Sequence, residues 1–91
     1  MKKLSETVEM MTSADYKERF KAEYYQLMLR YKGLSNMLSK WDRGELNFKP
    51  TCPREMYIDQ INGMAMYLGA LESRAELENI KLDLGESDEL N

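Results

Sequence analysis

Two sets of polar residues in this chain recur at intervals of seven, the spacing that places side chains on one face of a helix. Gln60, Tyr67 and Arg74 form one set; Tyr16, Glu23 and Arg30 form the other, with Arg19 one turn before Glu23. Arginine forks bind phosphate bidentately, tyrosine faces stack on bases, and a glutamine amide reads a base edge or a ribose hydroxyl. The candidate ligand-binding residues are therefore Arg74, Tyr67, Gln60, Arg19, Tyr16 and Arg30. Repeated by symmetry at an oligomer interface, such a cluster would enclose an anionic nucleotide. The same residues also fit a structural role, with Arg74 pairing to Glu23 across two helices and Gln60 and Tyr67 fixing register between subunits. A protein-contact patch is a third reading of the same stripe.

Catalytic groups are scarce. The chain has no histidine, which removes the usual proton shuttle, the usual partner of a serine or cysteine nucleophile and the commonest metal ligand. Its one cysteine, Cys52, excludes an internal disulfide and a multi-cysteine zinc site. Cys52 stands at an expected helix start, where it reads as a cap rather than a nucleophile, for want of a supporting base. Lys17, Lys21, Lys32 and Lys40 read as a solvated face. A binder is expected, not an enzyme, with no metal and no cofactor.

The elements that must position these residues follow from apolar spacing. Phe20, Tyr24, Leu27, Tyr31, Leu34, Leu38 and Trp41 fall at intervals of 4, 3, 4, 3, 4 and 3. That heptad seam predicts a helix over 14–41, about 42 Å long, with Ser13 as N-cap and Asp15 in the first turn. Gly44, Asn47 and Pro50 break the pattern over 42–52, with Phe48 expected to tuck under the hairpin end. Tyr57, Ile61, Met64, Leu68, Leu71 and Ala75 then repeat the seam, predicting a second helix over 53–80 with Pro53 at its first position and Thr51 or Cys52 as cap. Residues 1–13 carry Leu4, Val8 and Met11, which fit a short docking helix behind Ser5. Residues 81–91 read as an acidic tail, disordered from Gly85.

The expected fold class is all-α: a two-helix antiparallel hairpin, coiled-coil-like, with a short N-terminal segment, assembling into an oligomeric helical bundle. Oligomerisation follows from size and surplus. A lone helix pair buries too little to offset chain entropy, and Met10, Met11, Met28, Leu29, Met37, Met56, Ile58 and Met66 lie partly off the seam. Filling of a shared core is the main reading of these methionines, a peptide groove the lesser one.

The net charge of −3 hides an asymmetry. From Ala14 to Arg54 nine Lys/Arg face five Asp/Glu, whereas from Glu55 to Asn91 two face nine. Opposite halves favour stacking, within a chain or between chains, and no block is basic enough for duplex DNA. No apolar run suits a membrane span, and Ser5, Glu6 and Glu9 interrupt any signal peptide, so a place in the host cytoplasm is expected.

Taken together, Arg19-x-x-x-Glu23-x-x-x-Leu27 with Leu34, then Gln60-x-x-x-Met64-x-x-Tyr67-x-x-x-Leu71-x-x-Arg74, resemble a family of short two-helix proteins of crAss-like phages and of Firmicutes phages and prophages. The resemblance spans roughly Lys17 to Glu76, and the second-helix signature is its more specific half. Met37 stands where that family usually has an aromatic, and the Cys52-Pro53 pair in the connection is unusual for it. The resemblance implies a phage-encoded helical hairpin, and by analogy a counter-defence protein. The expected function is sequestration of a nucleotide-type immune signal in an oligomeric assembly. The alternatives are occlusion of a host defence or transcription protein through the acidic half, and a structural oligomer without ligand. The expected partners are copies of itself, with a small nucleotide or a host defence protein as target.

Overall fold

Ser13-Ala14-Asp15 offers two capping side chains in three residues, and the chain uses both. In the computed structural model, which describes residues 3–82, the Ser13 hydroxyl accepts from the Asp15 amide at 3.0 Å and the Asp15 carboxylate accepts from the Lys17 amide at 2.9 Å. Asp15 is thus the N-cap in place of Ser13, and the long helix starts at Tyr16 instead of Ala14. The carboxylate takes the cap because it answers both the orphan amide and the positive end of the helix dipole.

Every secondary-structure element among the described residues is a helix. A 3-10 turn, Leu4–Glu6, leads into α1 (Thr7–Met11), followed by α2 (Tyr16–Asp42) and α3 (Arg54–Leu77). No helix among them is long and apolar enough to cross a membrane. Among the described residues α1 is the short helix expected of the N-terminal segment, and it folds onto its own chain as a third α-helix beside the hairpin. Thr7 is fully buried; its hydroxyl donates to the Leu4 carbonyl at 2.7 Å and accepts from the Gln26 amide of α2 at 3.0 Å. Gln26 also reaches the Met11 sulfur, while Met10 packs against the core. A buried hydroxyl with both capacities filled costs little, so this polar link fixes α1 on α2 without a desolvation penalty.

Both long helices end in the same device. Gly44, at φ +69, lets its amide reach the Trp41 carbonyl at 3.0 Å and the Glu45 amide reach Lys40 at 2.8 Å. Asn79, at φ 57, does the same for α3, with bonds from Asn79 to Glu76 at 3.4 Å and from Ile80 to Ala75 at 2.8 Å. These are Schellman closures, which satisfy the last carbonyls and turn the next side chain inward. Hence α3 stops at Leu77 instead of running to Ile80, and Ile80 folds back to 5% exposure. At the other end Pro53 is the N-cap of α3 and Arg54 its first residue, in place of the expected Thr51 or Cys52 cap; Cys52 is exposed.

Contacts between α2 and α3 pair Tyr16 with Glu78, Tyr24 with Glu72 and Asp42 with Arg54, so the helices run antiparallel. Phe20, Tyr24, Tyr25, Leu68, Leu71, Ala75 and Ile80 form the core, with Leu27, Met28, Tyr31 and Leu82 packed against it. This core sits toward the start of α2 and the end of α3. The opposite end is held by thinner contacts: Trp41 meets Tyr57 edge-on at 5.9 Å, and Arg54 lies 4.9 Å over the Trp41 ring while its guanidinium pairs with Asp42 at 2.8 Å. Phe48 does not tuck under that end. It is 54% exposed and lines a shallow cavity of about 260 Å³ with Asn36, Met37, Lys40 and Asn47.

Candidate functional site

The two seven-residue sets face each other across the α2–α3 seam. Because the helices are antiparallel, each step of seven down α2 is matched by a step of seven up α3. Tyr16 meets Arg74, whose Nη2 donates to the phenol oxygen at 2.7 Å. Seven residues on, the Tyr67 hydroxyl donates to the Glu23 carboxylate. Seven further, the same register sets Arg30 level with Gln60. Tyr16–Arg74 and Glu23–Tyr67 are thus two rungs of one ladder, and Arg30 and Gln60 stand unjoined at the next step, about 21 Å along the seam from Tyr16.

The first rung is the most elaborate. Tyr16 donates to Glu78 Oε1 at 2.7 Å, and Arg74 Nε donates to Glu78 Oε2 at 3.0 Å, closing a triangle of phenol, guanidinium and carboxylate. The Arg74 guanidinium also lies 5.0 Å over the buried Phe20 ring, which fixes its plane. Arg19 sits 6.0 Å from the Tyr16 ring centre but is tied down by its bond to the Ser13 carbonyl at 2.7 Å. Lys17 closes the edge, donating to the Asn79 carbonyl at 3.4 Å.

Charge and hydrogen bonding set the protonation of this triangle. The bond from Tyr16, helped by Arg74, holds the Glu78 carboxyl below the ordinary glutamate range. The same bond to a carboxylate pushes the Tyr16 phenol up, and the Glu78 contact raises the Arg74 guanidinium further. At neutral pH the three are a neutral phenol, a cation and an anion. Arg74 remains 51% exposed, and its Nη1 edge meets no acceptor among the described residues. It presents a fixed, half-open fork.

The direct Arg74–Glu23 ion pair of the structural reading does not close, although Glu23 is near enough to favour the Arg74 charge through space. Glu78 lies one turn beyond Arg74 on the same helix and reaches it without crossing the seam, while Tyr67 takes Glu23. Arg30 and Gln60 are exposed and make no hydrogen bond or ion pair among the described residues. Glu78, which the sequence offers as part of the acidic half proposed to meet a host protein, joins this site instead, and its position four beyond Arg74 is the signal for it. Glu72, another member of that acidic half, is likewise turned to its own chain. It accepts from the fully buried Tyr24 at 2.7 Å, and burial pushes that phenol's pKa strongly up. Among the described residues no group of three or more acidic or cysteine side chains is arranged to hold a metal ion.

The fold and the ladder together define a small all-helical protein with an exposed, partly pre-oriented polar edge along its long helix pair. The chain matches the Sequestin family over residues 14–77 and belongs to it. The matched span covers all of α2 and α3 and stops at the last residue of α3, leaving out α1. No curated protein and no solved structure matches the chain.

Proposed function

We propose that this protein is a phage-encoded, non-enzymatic binder that sequesters a small anionic nucleotide used as an immune signal in the host cytoplasm. The observation that carries the reading is the Arg74 fork, backed by Phe20 and Glu78 and flanked by Tyr16, Lys17 and Arg19, on a chain whose family is named for sequestration. A phosphate would take the free Nη1 edge of Arg74 and compete with Glu78 for Nε, while the Tyr16 and Tyr67 rings, 46% and 45% exposed, offer faces to a base. Arg30 and Gln60 supply a second cation and an amide farther along the same edge. Binding without turnover suits this set, since it holds a cation, phenols and a carboxylate kept ionised, but no base tuned near neutrality.

Occlusion of a host protein through the acidic half is the competing reading. It has less to work with, because Glu72 and Glu78 are engaged by Tyr24 and by Tyr16 and Arg74. Native mass spectrometry with a panel of cyclic and linear nucleotides separates the two. Sequestration predicts that one panel member adds its mass in a fixed ratio. A protein that ignores the panel yet retains a host protein in pull-downs from infected cells would replace this reading with occlusion.

A further inference from the structure

Glu78 closes two structures at once. It is the C-cap of α3; the next residue, Asn79, takes the φ of 57 that turns the chain back, and Ile80 is buried just after it. Its carboxylate then reaches across the hairpin. One oxygen accepts from Tyr16, the first residue of α2, at 2.7 Å, and the other accepts from Arg74 Nε at 3.0 Å. Three cations stand around this turn, and each is held by an oxygen of its own chain: Arg74 by Glu78, Lys17 by the Asn79 carbonyl and Arg19 by the Ser13 carbonyl. The other carboxylate on this edge, Glu23, lies one rung away and is taken by Tyr67.

We propose that Glu78 is an internal stand-in for a phosphate, and that it latches the Arg74 fork until an incoming phosphate takes its place. The latch presupposes the reading of this edge as an anion site given above. A carboxylate presents two equivalent charged oxygens from one atom, and Glu78 gives them to two donors on different helices. A phosphate presents the same pair. Withdrawal of Glu78 frees Tyr16 Oη–H and Arg74 Nε–H together, beside the open Nη1 edge. The phosphate then meets three donor groups instead of one, and Tyr16 serves through its hydroxyl as well as its ring. With Glu78 in place, the ligand has the Nη1 edge alone, next to a like charge.

Little else has to move. The Glu78 side chain is 34% exposed and can swing into water, while Arg74 keeps its seat over the buried Phe20 ring. Because Glu78 is tethered four residues from Arg74 on the same helix, it competes at a high local concentration. The affinity of the edge for any phosphate is its intrinsic affinity multiplied by the unlatched fraction. That factor sets a threshold. An anion with no further contacts is held off, whereas a nucleotide that also reaches Tyr67 and Gln60 still binds.

Titration of the full chain with inorganic phosphate, followed by the Arg74 Nε–H resonance in proton–nitrogen NMR spectra, tests the latch. The probe has no base, so the outcome does not depend on which nucleotide is captured. Glu78→Gln keeps the shape and removes the charge. It should bind phosphate about three- to tenfold more tightly than the wild type, a modest gain because the pair is half exposed. Its helical circular dichroism should persist. Glu76→Gln removes the same charge from the same end of α3 but outside the fork, and should leave the affinity within about twofold. Tyr16→Phe added to Glu78→Gln should cancel much of the gain, since the freed hydroxyl is then missing. Equal affinity in wild type and Glu78→Gln, an equal gain from Glu76→Gln, or no phosphate binding by either would overturn the latch. A nucleotide captured equally by wild type and Glu78→Gln would overturn the latch and leave sequestration standing. The expected phosphate results with no nucleotide captured would support the latch and remove sequestration.

Discussion

Tyr24 couples the core to the surface, and deleting its hydroxyl isolates one bond. The ring is fully buried between α2 and α3, and its only polar atom donates to Glu72 at 2.7 Å. Tyr24→Phe keeps the ring and removes the donor. A hydrogen bond to a charged acceptor is worth about 1.5–3 kcal/mol, and the exposed side chain of Glu72 recovers part of that from water when the bond is lost. The expected cost is therefore about 1 kcal/mol, or a fall in Tm of roughly 4–8 °C for a domain of this size. Tyr24→Ala, which also empties the ring's space, should cost about 3–5 kcal/mol and take the protein close to unfolding. Thermal melts by circular dichroism, at one fixed protein concentration because assembly would shift Tm, provide the comparison. Tyr24→Phe in a Glu72→Gln background should cost less than it does alone, because the charged acceptor is already gone. A Tyr24→Phe protein as stable as the wild type would refute the assignment of this bond as a stabilising link.

Gly44→Ala should destabilise by about 1–2 kcal/mol in the same melts, since a side chain at φ +69 meets the left-handed penalty while the space around it is open. The carboxyls of Glu78 and Asp42 are held low, the first by Tyr16 and the second by Arg54, so the folded state binds their protons later than the unfolded chain does. Their contribution is complete above the ordinary carboxylate range and disappears as pH falls through the depressed values. Stability should therefore drop between about pH 5 and pH 3, and Glu78→Gln should flatten that drop in pH-resolved denaturant melts.

What could be read from the sequence depended on how local each signal was. The long helices announce themselves through the Phe20-to-Trp41 and Tyr57-to-Ala75 spacings, because periodicity accumulates over many residues. Their ends were less legible. Ser13 and Asp15 are both competent caps, and only the three-dimensional turn shows that one caps the other's amide. Asn79 is a weaker stop signal than glycine, so the turn that buries Ile80 was hidden. The seat of α1 depends on Thr7 meeting Gln26, nineteen residues away, which no local pattern encodes. At the site, the two seven-residue sets were visible, but their cross-pairing was not, since it depends on the exact offset between α2 and α3. Charge alone allows Arg74 to pair with Glu23, but the shorter reach to Glu78 takes the ion pair.

The central claim is that the protein holds a nucleotide without consuming it, and release after capture tests it most directly. A panel nucleotide that binds would be incubated with excess protein, the free fraction measured, and the protein then denatured by heat. The nucleotide should disappear from the free pool, return chemically intact on denaturation, and escape capture by Arg74→Ala, whose fold is retained. A nucleotide that returns altered, or capture undiminished in Arg74→Ala, would contradict the claim.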